Sequence, residues 1–242
     1  MSVGIALRSI GFERNTLSLS ERELTLLIRL EQSRYGLAMS EIIKLFPTMV
    51  YRADNATPVT LTAALEVASH ALVQSDIQGH RWCEKHGYPG YTSYGSETHL
   101  GEENPTFQKL VKIIDKHALA FAKAQHWNIG SARPICDSMW VNVLPEGGSH
   151  TGHIHTNSVI SGTFYVKVPD GAGPIVFEDP RYAMMMAAPP RKASAGIDLK
   201  THASFAPKAG TLMLWESWLR HEVPLNRAPG ERISVSFNYV MG

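Results

Sequence analysis

The stretch from Met139 to Val168 reads MWVNVLPEGGSHTGHIHTNSVISGTFYVKV and decides the fold. Two β-prone runs, MWVNVL and VISGTFYVKV, flank a segment rich in glycine and histidine, a pattern typical of short antiparallel strands. Three more runs of this kind follow downstream: PIVFED, GTLMLW and RISVSFNYV. Several short strands separated by Gly and Pro predict a jelly roll, that is, a cupin-like double-stranded β-helix.

Helices precede these strands. The segments from about Thr60 to Gln74 and from about Pro105 to Ala124 carry apolar residues at helical spacing. Further upstream, Ser20 and Glu23 form a Ser-x-x-Glu capping box, and apolar positions follow at Leu24, Leu27, Ile28 and Tyr35. The chain is therefore predicted to be α+β, with supporting N-terminal helices. We expect a helical extension over residues 1–44 and a double-stranded β-helix domain over residues 45–242.

Two segments are predicted to be irregular. One is GHRWCEKHGYPGYTSYGS, residues 79–96, and the other runs from Asp179 to Ala206 and is too rich in Pro and Ala for a strand. Such segments either connect elements or hold substrate contacts over a rigid scaffold.

Composition limits the classes of partner and compartment. The 242 residues contain 23 Lys and Arg interspersed with 22 Asp and Glu, for a net charge of +1, so the sequence has no basic stripe for nucleic acid. No apolar run approaches the ~20 residues that a membrane-spanning helix needs. With two cysteines and no secretory signal, a cytoplasmic location is expected. The oligomeric state stays open, with a homodimer as one option.

Three of the eleven histidines fall within six residues, in GGSHTGHIHTNS. Because strand side chains alternate, His153 and His155 share one face, whereas His150 has the opposite parity unless Gly152 breaks the strand. A third ligand must come from elsewhere, and His221 follows a strand-like run in WESWLRHEVPLN. These three histidines are the predicted metal ligands.

Arg232 begins the last strand-like run, on the same face as Ser234, Ser236 and Asn238. A buried guanidinium loses its hydration without compensation unless an anion meets it. The planar fork of Arg232 can hold a terminal carboxylate, and Ser234 can add a hydrogen bond to it. The pattern therefore predicts a dicarboxylate ligand.

A His-x-His pair, a distant His and an Arg-x-Ser about ten residues later resemble the superfamily of iron and 2-oxoglutarate dioxygenases. The resemblance is closer to a bacterial group of 2-oxoglutarate and Fe(II) oxygenases, and it covers about four fifths of the chain, from Leu45 to Tyr239. The matching segments are LFPTMVY, GYTSYGS, SMWVNVLPEGGSHTGHIHTNSVISGTFYVKVP, FEDPR, LMLWESWLRHEVPLN and ERISVSFNY.

The resemblance implies an enzyme that uses Fe(II), 2-oxoglutarate and O2 to hydroxylate a C–H bond of a small-molecule or peptide substrate. The metal would be held by the three histidines, and the far carboxylate of 2-oxoglutarate by Arg232 and Ser234. Tyr165 aligns with a tyrosine that contacts the co-substrate in prolyl hydroxylases. Asn142 and Asn238, on neighbouring strands, are further candidates for co-substrate binding.

One departure from the superfamily bears on the metal. Most members pair two histidines with a carboxylate, whereas His155 stands here in the place of the carboxylate. Two alternatives follow. Three imidazoles bind the metal, or a carboxylate from Glu178 or Asp179 replaces one of them. Two other functions compete: a three-histidine cupin-like dioxygenase or isomerase that does not use 2-oxoglutarate, and a non-enzymatic metal-binding jelly roll.

Overall fold

The computed structural model describes residues 20–23, 25, 26 and 41–242, and the chain divides into two units, 1–46 and 47–242. In the first unit the predicted capping box is present: the hydroxyl and N–H of Ser20 donate to the Glu23 carboxylate at 2.7 and 2.9 Å. The apolar positions predicted to follow it lie outside the described residues. The predicted boundary between a 1–44 extension and a 45–242 domain stays a prediction.

Four helices lie between residues 59 and 124 of the described chain: α1 Val59–Ser75, α2 Ile77–His86, α3 Leu100–Glu103 and α4 Pro105–Ala124. The predictions for α1 and α4 are confirmed. Helix α4 starts at Pro105, and the Asn104 side chain accepts a hydrogen bond from the Thr106 N–H at 2.9 Å. Proline suits this first position because the N–H it lacks would have no helical partner.

Helix α2 corrects one expectation, because the GHRWCEKH half of residues 79–96 is helical rather than a loop. The Asp76 side chain caps its first turn by accepting from the Gly79 N–H at 2.8 Å. Gly87 ends it in the left-handed conformation, at φ 62°. Gly79 at the first turn and a run of polar residues hid this short helix from the periodicity analysis.

Ten strands form two antiparallel sheets in the described part of the chain. They are β1 Val50–Ala53, β2 Tyr91–Thr92, β3 Pro134–Leu144, β4 His150–His153, β5 Ile160–Lys167, β6 Ile175–Glu178, β7 His202–Phe205, β8 Leu212–Glu216, β9 His221–Val223 and β10 Arg232–Met241. The large sheet has the order β1-β8-β5-β10-β3-β2, and the small sheet has the order β4-β9-β6-β7. All five downstream runs predicted as strands are strands.

Strand β7 is a second correction, since it lies inside the Asp179–Ala206 segment that was predicted to contain no strand. It pairs along its whole length with β6, from Ile175 opposite Phe205 to Glu178 opposite His202. This long-range pairing, and not the local Pro-rich composition, decides the conformation. The rest of the segment contains two short 3-10 turns, at Tyr182–Met184 and Ile197–Leu199.

The large sheet packs helices on one face and the small sheet on the other. Along β10, Ile233, Val235 and Phe237 belong to the core cluster that includes Leu110 and Ile114 of α4. The residues between them, beginning with Arg232, face the opposite way, because strand side chains alternate. This alternation gives every central strand an apolar face toward the helices and a second face toward the site.

The predicted α+β class with antiparallel sheets is confirmed. A second core cluster joins the sheets, with Met213 and Trp215 of the large sheet packed beside Ile175 and Phe177 of the small one. Among the described helices, none combines the length and apolar character needed to traverse a lipid bilayer.

Candidate active site

Three imidazoles meet where the small sheet faces the large one. His153 of β4 lies directly opposite His221 of β9, and His155 follows β4 by two residues, with its N–H donating to the Ser217 carbonyl at 3.0 Å. The Nε2 atoms of His153 and His155 are 3.2 Å apart, and one nitrogen from each of the three residues lies within 4.8 Å of the others. The three side chains are therefore close enough to bind a single ion.

The other nitrogen of each imidazole is occupied by an oxygen acceptor. For His153 and His221 the acceptor is the backbone carbonyl two residues upstream, at 2.7 and 2.9 Å from Nδ1. For His155 it is the Asn238 side-chain oxygen, at 2.6 Å. Since an oxygen accepts, each Nδ1 carries the proton and each Nε2 keeps a lone pair, which is how a metal-binding histidine is usually oriented.

Burial favours the neutral form of these histidines. It lowers the pKa of His155 to about 4 and that of His221 to about 2, and it also lowers the pKa of His153. An imidazole must be unprotonated at the coordinating nitrogen to bind a metal. The cluster is therefore set up as three neutral nitrogen donors, a set that suits iron(II) and other divalent transition metals.

The two carboxylates considered as replacements for a histidine are engaged elsewhere. Asp179 pairs with Arg181 at 2.8 Å. Glu178 lies 3.4 Å from Arg220 and 3.9 Å from His202. Within the described residues, the cluster that could hold a metal consists of the three histidines alone. The geometry thus favours three imidazoles as the ligand set.

A cavity open to solvent, with about 450 Å³ of empty space including its mouth, extends from this cluster between the sheets. Arg232, which is 3% exposed, forms part of its wall, and its guanidinium carbon lies 4.9 Å from the centre of the Tyr165 ring. Three buried donors of the wall have no hydrogen-bond partner among the described residues: Arg232 Nε, Tyr165 OH and Trp215 Nε1. The described residues that line the cavity include neither Asp nor Glu. Buried donors without acceptors indicate that an anionic ligand completes the site.

The predicted co-substrate residues are neighbours across three strands. Ser234 of β10 lies opposite Asn142 of β3 on one side and Tyr165 of β5 on the other, one alternate position beyond Arg232. Asn142 is fixed by Thr92, which donates to its oxygen at 2.8 Å, and by Ser236, which accepts from its amide at 2.9 Å. A rigid polar row thus runs across the cavity wall beside the guanidinium.

A comparison with known protein families shows which family this site resembles. Residues 138–238 match the family model described as "Putative 2OG-Fe(II) oxygenase". Residues 138–238, about two fifths of the chain, are therefore similar to the 2-oxoglutarate and Fe(II) oxygenase family. The matched range contains all three histidines together with Arg232 and Ser234. The cofactors of the family, iron(II) and 2-oxoglutarate, fit the imidazole donors and the orphaned cavity donors respectively.

Solved structures with the same fold are distant in sequence. A Pseudomonas putida prolyl-4-hydroxylase is 14% identical, with a TM-score of 0.53 over 80% of this chain and 92% of its own. The epimerase SnoN, in complex with Fe3+, alpha ketoglutarate and nogalamycin RO, is 12% identical, with a TM-score of 0.57 over 90% and 84%. The carbocyclase SnoK from nogalamycin biosynthesis is 12% identical, with a TM-score of 0.55 over 80% and 79%. No curated protein sequence matches significantly. These likenesses confirm the jelly-roll fold of the oxygenase.

Asn238 has a different place from the one expected. It was predicted to bind co-substrate, but it lies behind His155: its oxygen accepts from His155 Nδ1 and from the Ser161 hydroxyl at 2.8 Å. Its amide donates to the Ser138 hydroxyl at 3.2 Å. Asn238 is not among the residues that line the cavity and contacts His155 instead, as the outer partner of a metal-binding histidine would, and its predicted role in co-substrate binding stays a prediction.

His150 and Trp140 also line the oxygenase cavity, although neither was predicted to do so. The β4–β9 register shifts between His150 and His153, so the parity that excluded His150 does not hold, and its ring stacks on His153 at 4.3 Å. Gly152, inside the shift, was the available signal. For Trp140 the signal was alternation, because it lies two residues before Asn142 on β3.

Proposed function

We propose that this oxygenase hydroxylates a C–H bond of a small-molecule or peptide substrate and consumes 2-oxoglutarate and O2. The observation that carries the proposal is that one cavity contains three neutral imidazoles and a buried arginine. Among the described residues, the cavity wall has no Asp or Glu and Arg232 Nε has no hydrogen-bond partner. The chemistry supplied by bound iron(II) is O2 activation coupled to decarboxylation of 2-oxoglutarate to succinate.

The residues of the chain would bind and orient the metal and the co-substrate. His153, His155 and His221 hold the metal through Nε2. Arg232 and Ser234 take the far carboxylate of the co-substrate, with the guanidinium fork giving a paired, charge-assisted contact. The Tyr165 hydroxyl, which has no hydrogen-bond partner among the described residues, adds a donor to the same group. Apolar wall residues such as Leu144 and Ile175 keep water away from the reacting groups.

Titration of 2-oxoglutarate into anaerobic, iron-loaded protein tests the proposal. A weak visible charge-transfer band should appear if the protein binds iron(II) and 2-oxoglutarate in one site. The band is not expected for a cupin-like enzyme that takes no 2-oxoglutarate, nor for a metal-binding jelly roll. Arg232→Ala should weaken 2-oxoglutarate binding about 30-fold or more, the scale of losing a buried charge pair.

Arg227→Ala is the matched control, because Arg227 is exposed and lies outside the cavity wall. It should bind 2-oxoglutarate as the wild type does. An Arg232→Ala protein with unchanged affinity would refute the clamp, and absence of the band in wild type would refute the oxygenase reaction. Once a substrate is known, transfer of label from 18O2 into the product separates hydroxylation from other outcomes of 2-oxoglutarate turnover.

A further inference from the structure

Seven aromatic side chains form a closed circuit of ring contacts that passes through the metal cluster. Consecutive ring centroids are 4.3 to 6.5 Å apart. In order, the members are Trp82, Tyr88, His150, His153, His155, Trp140 and Tyr94, which contacts Trp82 again. We call this circuit the aromatic belt.

The belt connects the protein surface with the metal ligands. Four of its members line the cavity: Trp140 of β3, His150 and His153 of β4, and His155 just after β4. Trp140 is only 4% exposed. Tyr94, on the other side, is 54% exposed, and its ring meets that of Trp140 edge-on at 5.2 Å. Trp140 in turn lies 5.8 Å from the His155 ring. Tyr94 is not among the residues that line the cavity, but its contact with Trp140 brings a molecule held against these two rings within one ring of the His155 imidazole.

The fold fixes the belt before any substrate arrives. A side chain at Gly95 would come within 2.2 Å of the Trp82 indole, so glycine allows the loop backbone to press against that ring. His86 stacks on Trp82 at 4.2 Å. The Tyr94 N–H donates to Thr92 Oγ1 at 3.2 Å, and Thr92 is itself tied to β3 through Asn142. Preorganised rings lose little conformational entropy on binding.

The residue types of the belt favour one class of substrate over others. Its members are Trp, Tyr and His, with no carboxylate, lysine or arginine. Aromatic faces and edges bind other rings through stacked and edge-on contacts, which an open alkyl chain reproduces less well. Aromatic walls can also bind cations. Here, however, the adjacent cavity holds the Arg232 charge and, on the proposed function, would also hold a metal with neutral ligands, and both oppose a cation.

Building on the proposed function, we propose that the aromatic belt recognises the primary substrate, and that this substrate presents an uncharged aromatic ring to Tyr94 and Trp140. The segment 79–96 is then a specificity-determining wall, whereas Arg232 and Ser234 serve the co-substrate. Tyr94 is the member to test, because its exposure makes its removal tolerable to the fold.

The test uses the full chain loaded with Mn(II) and 2-oxoglutarate, with Zn(II) as the diamagnetic reference, and three probes. These are 4-methylphenol, tyramine, which adds an ammonium group to a phenol ring, and heptan-1-ol, which has as many carbons as 4-methylphenol and no ring. The readout is paramagnetic broadening of the probe's NMR signals. We expect 4-methylphenol to be broadened most. Tyr94→Ala should weaken its binding roughly three- to tenfold, the range for one lost ring contact, and Tyr94→Phe should not.

Trp218→Ala is the control, since Trp218 is 47% exposed and outside the belt, and it should leave probe binding unchanged. Equal broadening by heptan-1-ol or tyramine, or a Tyr94→Ala protein that binds 4-methylphenol normally, would overturn the inference. If Mn(II) stays free by electron paramagnetic resonance, the proposed function fails instead. In that case, 4-methylphenol binding to wild type and the Tyr94 variants is compared on metal-free protein by saturation-transfer NMR. This comparison tests the role of the belt in binding independently of the metal.

Discussion

Replacing Asn238 tests whether a neutral amide behind His155 sets the affinity for metal. In Asn238→Ala the 2.6 Å hydrogen bond from His155 Nδ1 loses its acceptor, and the imidazole is free to turn. A buried donor left unsatisfied costs about 1–3 kcal/mol. Loss of such an outer-shell partner typically lowers metal affinity about 10–100-fold, or about 1.4–2.8 kcal/mol, so the two estimates agree. We expect Zn(II) affinity, measured by competition with a chromophoric chelator, to fall by this factor.

Asn238→Asp is the matched control, because it keeps an oxygen at the same place. The Ser161 hydroxyl can still donate to that oxygen, and the Ser138 hydroxyl, now without its amide donor, can donate as well. A carboxylate makes the imidazole a better ligand, so affinity should equal or exceed that of the wild type. A general loss of packing would weaken both variants alike. Equal affinity in Asn238→Ala, with an unchanged thermal midpoint, would refute the positioning role.

Two further predictions concern other buried polar groups. Tyr165→Phe removes a hydroxyl that has no hydrogen-bond partner in the described part of the chain, so the thermal stability of metal-free protein should stay equal or rise while 2-oxoglutarate binding weakens about tenfold. Unchanged affinity would exclude the hydroxyl from the site. Burial tends to raise the pKa of Asp76, but hydrogen bonds, including those from Ser96 at 2.5 Å and Tyr91 at 2.7 Å, outweigh it and hold the pKa below its ordinary value. Its stabilising effect is therefore present above about pH 4 and lost as pH falls through the pKa of the folded protein. The difference in thermal unfolding midpoint between wild type and Asp76→Asn should therefore shrink in acid. A difference that stays constant with pH would contradict this.

Local alternation made much of the fold and of the site predictable. Alternation along the run that became β10 placed Arg232 and Ser234 on one face, whereas Tyr165 was assigned through the resemblance to prolyl hydroxylases and Asn142 as a candidate on a neighbouring strand. His221 could be selected because it follows a strand-like run and lies near the Arg-x-Ser pair. The cytoplasmic location and a homodimer stay predictions, since nothing in the described chain bears on them.

The features that could not be predicted depend on pairing between strands that are distant in the sequence. The register shift in β4 turns His150 into the cavity, and no local signal beyond Gly152 announces it. Asn238 shares a strand face with Arg232 but lies beside a different neighbour, so alternation alone could not separate a co-substrate donor from a support for His155. The strand β7 exists because β6 offers it an edge, whatever its own composition favours.

A ligand set without a carboxylate changes the electrostatics of the whole cavity. Three neutral imidazoles leave a divalent ion with its full charge, and Arg232 adds another positive charge to a wall that has no acid among its described residues. Uncompensated charge in a buried site is costly. On the proposed function, the two carboxylates of 2-oxoglutarate would meet this cost, so metal and co-substrate should each raise the affinity of the site for the other by the same factor. A site with a ligand carboxylate would already have neutralised part of the metal's charge. The third histidine would therefore make the co-substrate part of the charge balance that holds the metal, as well as a reactant.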